Sequence, residues 1–100
     1  MPISEKEMLL VQLVEECAEV IQEVCKAQRF GVDEKMEGIN LTNLARITKE
    51  LNDLQVLTDL VAEAYDINRF NYLDIKALSL KKQKVIKYMN YSKDCGMVAQ

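Results

Sequence analysis

Apolar residues recur at helical intervals through three stretches of this 100-residue chain. In the first, Leu10, Leu13, Val14, Cys17, Val20, Ile21 and Val24 fall on one stripe at a period of 3.6. Ser4 with Glu7 three residues on forms a capping box, and Ile3 with Met8 has the spacing of a hydrophobic staple. This predicts a helix over about 5–29, with Gly31 as its stop. Residues 31–39, with two Gly and a charged run, read as a loop. Asn40 is the expected cap of a second helix over about 41–65, striped by Leu44, Ile47, Leu51, Leu54, Leu57 and Val61. Asp66, Ile67 and Asn68 read as a turn. Asn71 is the expected cap, and Phe70 with Ile75 the staple, of a third helix over about 72–91. No strand pattern or repeat competes. The expected fold is therefore all-α: three main antiparallel helices in one bundled domain over 1–100.

Rods of this kind are about 37 Å long, and three of them cannot cover one another's stripes well. The second helix is apolar over a wide arc around Val56, Leu57, Leu60, Val61 and Ala64. A homodimer or tetramer that shares helices is the expected remedy.

Composition narrows the chemistry. At 49% hydrophobic and 29% charged, the chain reads as globular. There is no apolar run of about 20 residues to cross a membrane and no signal-peptide pattern at Met1–Glu5, so a cytoplasmic location is expected. Cys17, Cys25 and Cys95 lack Cys-x-x-Cys spacing, and Cys17 reads as a small core residue. The five Met read as core filler. Histidine is absent, which excludes Ser-His-Asp and Cys-His catalysis and leaves carboxylates, Lys, Tyr or metal-bound water. Residues 1–66 carry 6 basic and 14 acidic side chains, and residues 67–100 carry 7 and 2. The net charge of −3 argues against a dedicated nucleic-acid binder.

Two acidic clusters stand out: Glu15-Glu16-Cys17-Ala18-Glu19 and Glu50-Leu51-Asn52-Asp53. A spacing of three places carboxylates together on one side of a helix, where they repel unless a cation joins them. By helical phase Glu16 and Glu19 form the inner pair of the first helix, with Glu23 a possible third member and Glu15 on the wet side. Glu50 and Asp53 lie close to the stripe of the second helix. Phase alone is equally satisfied by a metal site and by carboxylates paired with Arg46 and Lys49.

The strings Leu13-Val14-Glu15-Glu16-Cys17-Ala18-Glu19-Val20 and Ile47-Thr48-Lys49-Glu50-Leu51-Asn52-Asp53-Leu54 resemble the all-α nucleoside triphosphate pyrophosphohydrolases of the MazG-like superfamily, over roughly residues 8–65. Lys26 and Arg29-Phe30-Gly31 look similar to its small, single-domain, phage-like members. Thirty residues lie between Glu19 and Glu50, slightly more than the usual gap in that family. The resemblance implies cleavage of a nucleoside triphosphate between the α and β phosphates. It implies Glu16, Glu19, Glu50 and Asp53 as ligands of Mg²⁺, with Mn²⁺ able to substitute, and Glu15 or Glu16 as proton acceptor. Lys26, Arg29, Lys49 and, inside the third stripe, Lys82 are the candidates for substrate phosphates. A helical dimerisation or adaptor module of the same fold, and a phosphoribosyl-ATP pyrophosphohydrolase, are the competing readings.

Overall fold

The computed structural model describes residues 2–67 and 73–100, and its helices are α1 (Glu5–Phe30), α2 (Asn43–Ala64) and α3 (Ile75–Asp94). Among the described residues there is no strand, only an isolated bridge between Lys35 and Thr42. The all-α class holds. The residues form two compact units, one up to Ile67 and one of the remainder.

In the first unit α1 and α2 form an antiparallel hairpin. Near one end Lys6 lies 5.6 Å from the ring of Tyr65. Toward the other, Arg46 reaches Glu23 and the amide of Asn43 donates to the carbonyl of Gly31 at 2.8 Å. Local chemistry sets the helix ends. Ser4 Oγ accepts from the Glu7 N–H, satisfying one of the four free donors of the first turn. Gly31 ends α1 at φ 97, a backbone region that strains any residue with a Cβ, and donates to Ala27 O.

The cap of α2 is Thr42, not Asn40. Thr42 Oγ1 accepts from the Ala45 N–H, while Asn40 Oδ1 accepts from Lys35 Nζ. The position is decided by the loop, because the N–H groups of Asn43 and Leu44 donate to the carbonyls of Glu34 and Val32. These bonds and the 3% exposed Asn43 tie the end of α1 to the start of α2. After α2, Asp66 adopts φ 53 and donates to Glu63 O, and Ile67 donates to Ala62 O. This is a Schellman stop with Asp in the position glycine usually takes.

In the second unit α3 is capped by Asp74, whose Oδ1 accepts from Ala77 N–H. The helix runs three residues further than the stripe suggests, to Asp94. The expected cap Asn71 and staple residue Phe70 lie outside the described residues. Beyond Gly96 the chain turns back, and the N–H groups of Met97 and Val98 both donate to Ser92 O.

The buried hydrophobic residues are few and small: Ala27, Val61 and Ala62. Two expectations are corrected here. Cys17 is exposed rather than core, and Met8, Met36, Met89 and Met97 are exposed rather than filling a core. On α1 the single predicted stripe resolves into two lines: Leu13 and Val20 are half-buried, as is Leu9, which the stripe did not include, whereas Leu10, Val14, Cys17, Ile21 and Val24 are exposed. Among the described residues no helix is long and apolar enough to cross a membrane.

Candidate metal centre

Glu16 of α1 and Glu50 and Asp53 of α2 converge midway along the hairpin. One carboxylate oxygen from each lies within 4.8 Å of the others. All three residues are half-buried, because each sits where its helix turns toward its neighbour. Glu16 stands between the half-buried Leu13 and Val20, and Glu50 follows Ile47 by three. Two oxygens bound to one Mg²⁺ at about 2.1 Å are at most about 4.2 Å apart. Three oxygens on one ion cannot all be that far apart, so a movement of up to about 1 Å would bring the set onto a common ion.

Two oxygens in this cluster, Glu16 Oε2 and Glu50 Oε2, are buried and accept no hydrogen bond. Burying an unpaired carboxylate oxygen is costly, and a divalent cation would remove that cost. The donor set, all carboxylate oxygen, fits Mg²⁺ or Mn²⁺ and not a soft metal.

Glu19 lies beside Glu50 at the more exposed edge. A hydrogen bond shared with Glu19 is the main reason the Glu50 carboxyl is raised above its ordinary 4.5; burial adds to the rise and Lys49 opposes it. Such a bond requires a proton on one of the two carboxyls. Because Glu50 is raised in the folded chain, its contribution to stability is full below the ordinary value and is lost as pH rises through the folded value. The cation-free protein should therefore lose stability with rising pH over this interval, and Glu50→Gln should flatten that slope. Thermal denaturation from pH 4 to pH 7 in chelator measures it.

The candidate phosphate-binding cations have different surroundings. Lys49 Nζ lies 3.3 Å from Asp53 Oδ2 and 3.6 Å from Glu50 Oε1, on the outside of the cluster, with its side chain 64% exposed. Asp53 is the first cause of its raised pKa. Lys26 is engaged with Glu23 Oε1 at 3.6 Å. Arg29 is exposed, 5.8 Å from the Phe30 ring. Glu15 is exposed and outside the three-residue group. Lys82 is exposed on α3, in the second unit.

The expected pairing of Arg46 with Glu50 or Asp53 is replaced by another. Arg46 Nη2 donates to Glu23 Oε1 at 2.9 Å and Nη1 reaches the sulfur of Met36. Glu23, 6% exposed, is thus an anchor of the helix pair one turn from Glu19, not a member of the cluster. Its phase, one turn beyond Glu19, signalled burial; its partner could not be read without the register between the helices.

No protein-family profile, curated protein or solved structure matches this chain.

Proposed function

We infer that the chain is a Mg²⁺-dependent nucleoside triphosphate pyrophosphohydrolase of the MazG-like kind, releasing a nucleoside monophosphate and pyrophosphate. The observation that carries this reading is the convergence of Glu16, Glu50 and Asp53 with two buried, unpartnered oxygens. The resemblance of the two acidic strings to that superfamily supports it. Glu16, Glu50 and Asp53 hold the ion, with Glu19 completing the set from the edge. When bound, the ion neutralises phosphate charge and lowers the pKa of a water ligand. Glu16 is better placed than Glu15 to take a proton, because Glu15 faces solvent. Lys49 is the cation nearest the cluster and the first candidate to receive a phosphate; Lys26 and Arg29 follow.

The test is a panel of canonical and modified nucleoside triphosphates with Mg²⁺, scored for pyrophosphate. Release from at least one substrate is expected, and none from any of them counts against the reading. Lys49 also competes with the ion for Glu50 Oε1 and Asp53 Oδ2. Lys49→Met should therefore tighten Mn²⁺ binding in a calorimetric titration while weakening the use of substrate.

The same Lys49 contacts favour a second reading, a non-catalytic helical self-association module whose carboxylates are balanced by side chains. A protein of that kind would show no stabilisation by Mn²⁺.

A further inference from the structure

The side chains between α1 and α2 face one another in order. A Glu16 oxygen stands within 4.8 Å of one from Asp53, Glu19 lies beside Glu50, and one turn further Glu23 meets Arg46. Each step forward along α1, from Glu16 to Glu19 to Glu23, is matched by an equal step back along α2, from Asp53 to Glu50 to Arg46. These are successive levels of one antiparallel pairing. Two of the three levels set acid against acid, which repel without a cation and so do not hold the helices in register. The lysines do not hold it either. Lys49 pairs with Glu50 and Asp53 on its own helix, and Lys26 with Glu23 on its own helix. The bond of 2.9 Å from Arg46 Nη2 to Glu23 Oε1 crosses from one helix to the other at the third level.

This pair is not an economical way to stabilise a hairpin. The Glu23 and Arg46 side chains are 8% and 19% exposed. Arg46 and Lys26 both approach Oε1, and Glu23 Oε2 is buried with no hydrogen-bond partner. Apolar residues of similar volume are often as stable as a buried ion pair or more so. What they lack is direction. Methylene groups in contact tolerate a small slide, whereas a charged hydrogen bond keeps donor and acceptor within a narrow range of distance and angle. Arg46 is also held from a second side, by Nη1 on the sulfur of Met36. A cation site needs that constraint. Successive residues of a helix are about 1.5 Å apart along its axis, while metal–ligand distances tolerate only about 0.2 Å. A slide of α2 along α1 by a small fraction of one residue therefore decides whether the oxygens grip an ion.

We propose that Arg46 and Glu23 are positioning residues of the metal centre. Their bond sets how far α2 slides along α1, and with it the distances from Glu16 and Glu19 to Glu50 and Asp53. This role rests on the reading of those carboxylates as ligands of a divalent cation.

The double variant Glu23→Met/Arg46→Met separates position from stability, because it removes the bond without changing the net charge beside the cluster. Thermal denaturation in chelator should show most of the Tm lost in Arg46→Met recovered. Calorimetric titration of the same protein should show Mn²⁺ binding weakened about 10-fold or more, the usual cost of losing a contact that orients a ligand. Arg46→Lys keeps the charge but not the planar fork and should weaken Mn²⁺ several-fold; it carries the test where the double variant folds poorly. Val61→Ala, at a buried position elsewhere in the hairpin, should lower Tm and leave Mn²⁺ binding as in wild type. Arg46 variants that bind Mn²⁺ as tightly as wild type, or a Val61→Ala protein weakened as much as they are, overturn the proposal. A wild-type protein that binds no Mn²⁺ removes the metal centre and this role with it, whereas binding that survives intact in the Arg46 variants removes the role alone.

Discussion

Glu50→Gln should remove most of the thermal stabilisation that Mn²⁺ gives the wild-type protein and should reduce pyrophosphate release by about 100-fold or more. Loss of an outer-shell contact to a metal already costs about 10- to 100-fold, and a direct ligand is worth at least as much. At a hundred times its dissociation constant an ion contributes about 2.7 kcal/mol to folding, which is readily seen in a denaturation scan. The cation-free variant should be no less stable than the wild type, because Gln relieves the crowding of Glu50 against Glu16, Glu19 and Asp53. These opposite signs with and without cation separate a metal ligand from a residue that only supports the fold. An unchanged Mn²⁺ increment together with unchanged pyrophosphate release would remove Glu50 from the site.

Arg46→Met should be the most destabilising single change in the hairpin. The Glu23 side chain is 8% exposed and that of Arg46 19%, and the bond between them crosses from α1 to α2. Removing one partner of such a pair strands the other. Fully buried cases cost about 3–5 kcal/mol; the partial exposure of Arg46, and Lys26 as a second cation for Glu23, bring this to about 2–3. In a unit of this size that corresponds to a fall in Tm of roughly 10–20 °C. The double variant Glu23→Met/Arg46→Met should recover much of the loss, since neither charge is then left unpaired. Denaturation of the two single variants and the double variant checks both statements. A Tm for Arg46→Met within a degree or two of wild type would show that the pair does not hold the helices together.

Much of the fold is local and could be read directly from the chain. The start of α1 at Ser4 and its stop at Gly31 depend on neighbouring residues alone, and both are as the pattern predicts. The cap of α2 is not local. Asn40 and Thr42 are both competent, and the choice is made by loop carbonyls that reach Asn43 and Leu44. The same boundary separates legible from illegible parts of the candidate site. Helical phase identified Glu16, Glu50 and Asp53, because a position on a stripe is a property of one helix. It did not distinguish Glu19, at the edge, from the three that converge. It gave Arg46 the wrong partner, because that depends on how far one helix is shifted along the other. The broad stripe of α1 concealed two directions for a related reason: periodicity gives the width of an apolar arc, and only a packed neighbour divides it.

The bonds from Asn43 and Leu44 back to Gly31, Glu34 and Val32 fasten the hairpin at its loop end, like the spring of a pair of tweezers. Glu19 stands about 18 Å from that spring along the helix axis. A tilt of only about one degree about it changes the opening between the opposed arms by about 0.3 Å at that point, the scale on which metal–oxygen distances of Mg²⁺ and Ca²⁺ differ. Discrimination between ions of equal charge would then be set by the stiffness of the loop, at a distance from every ligand.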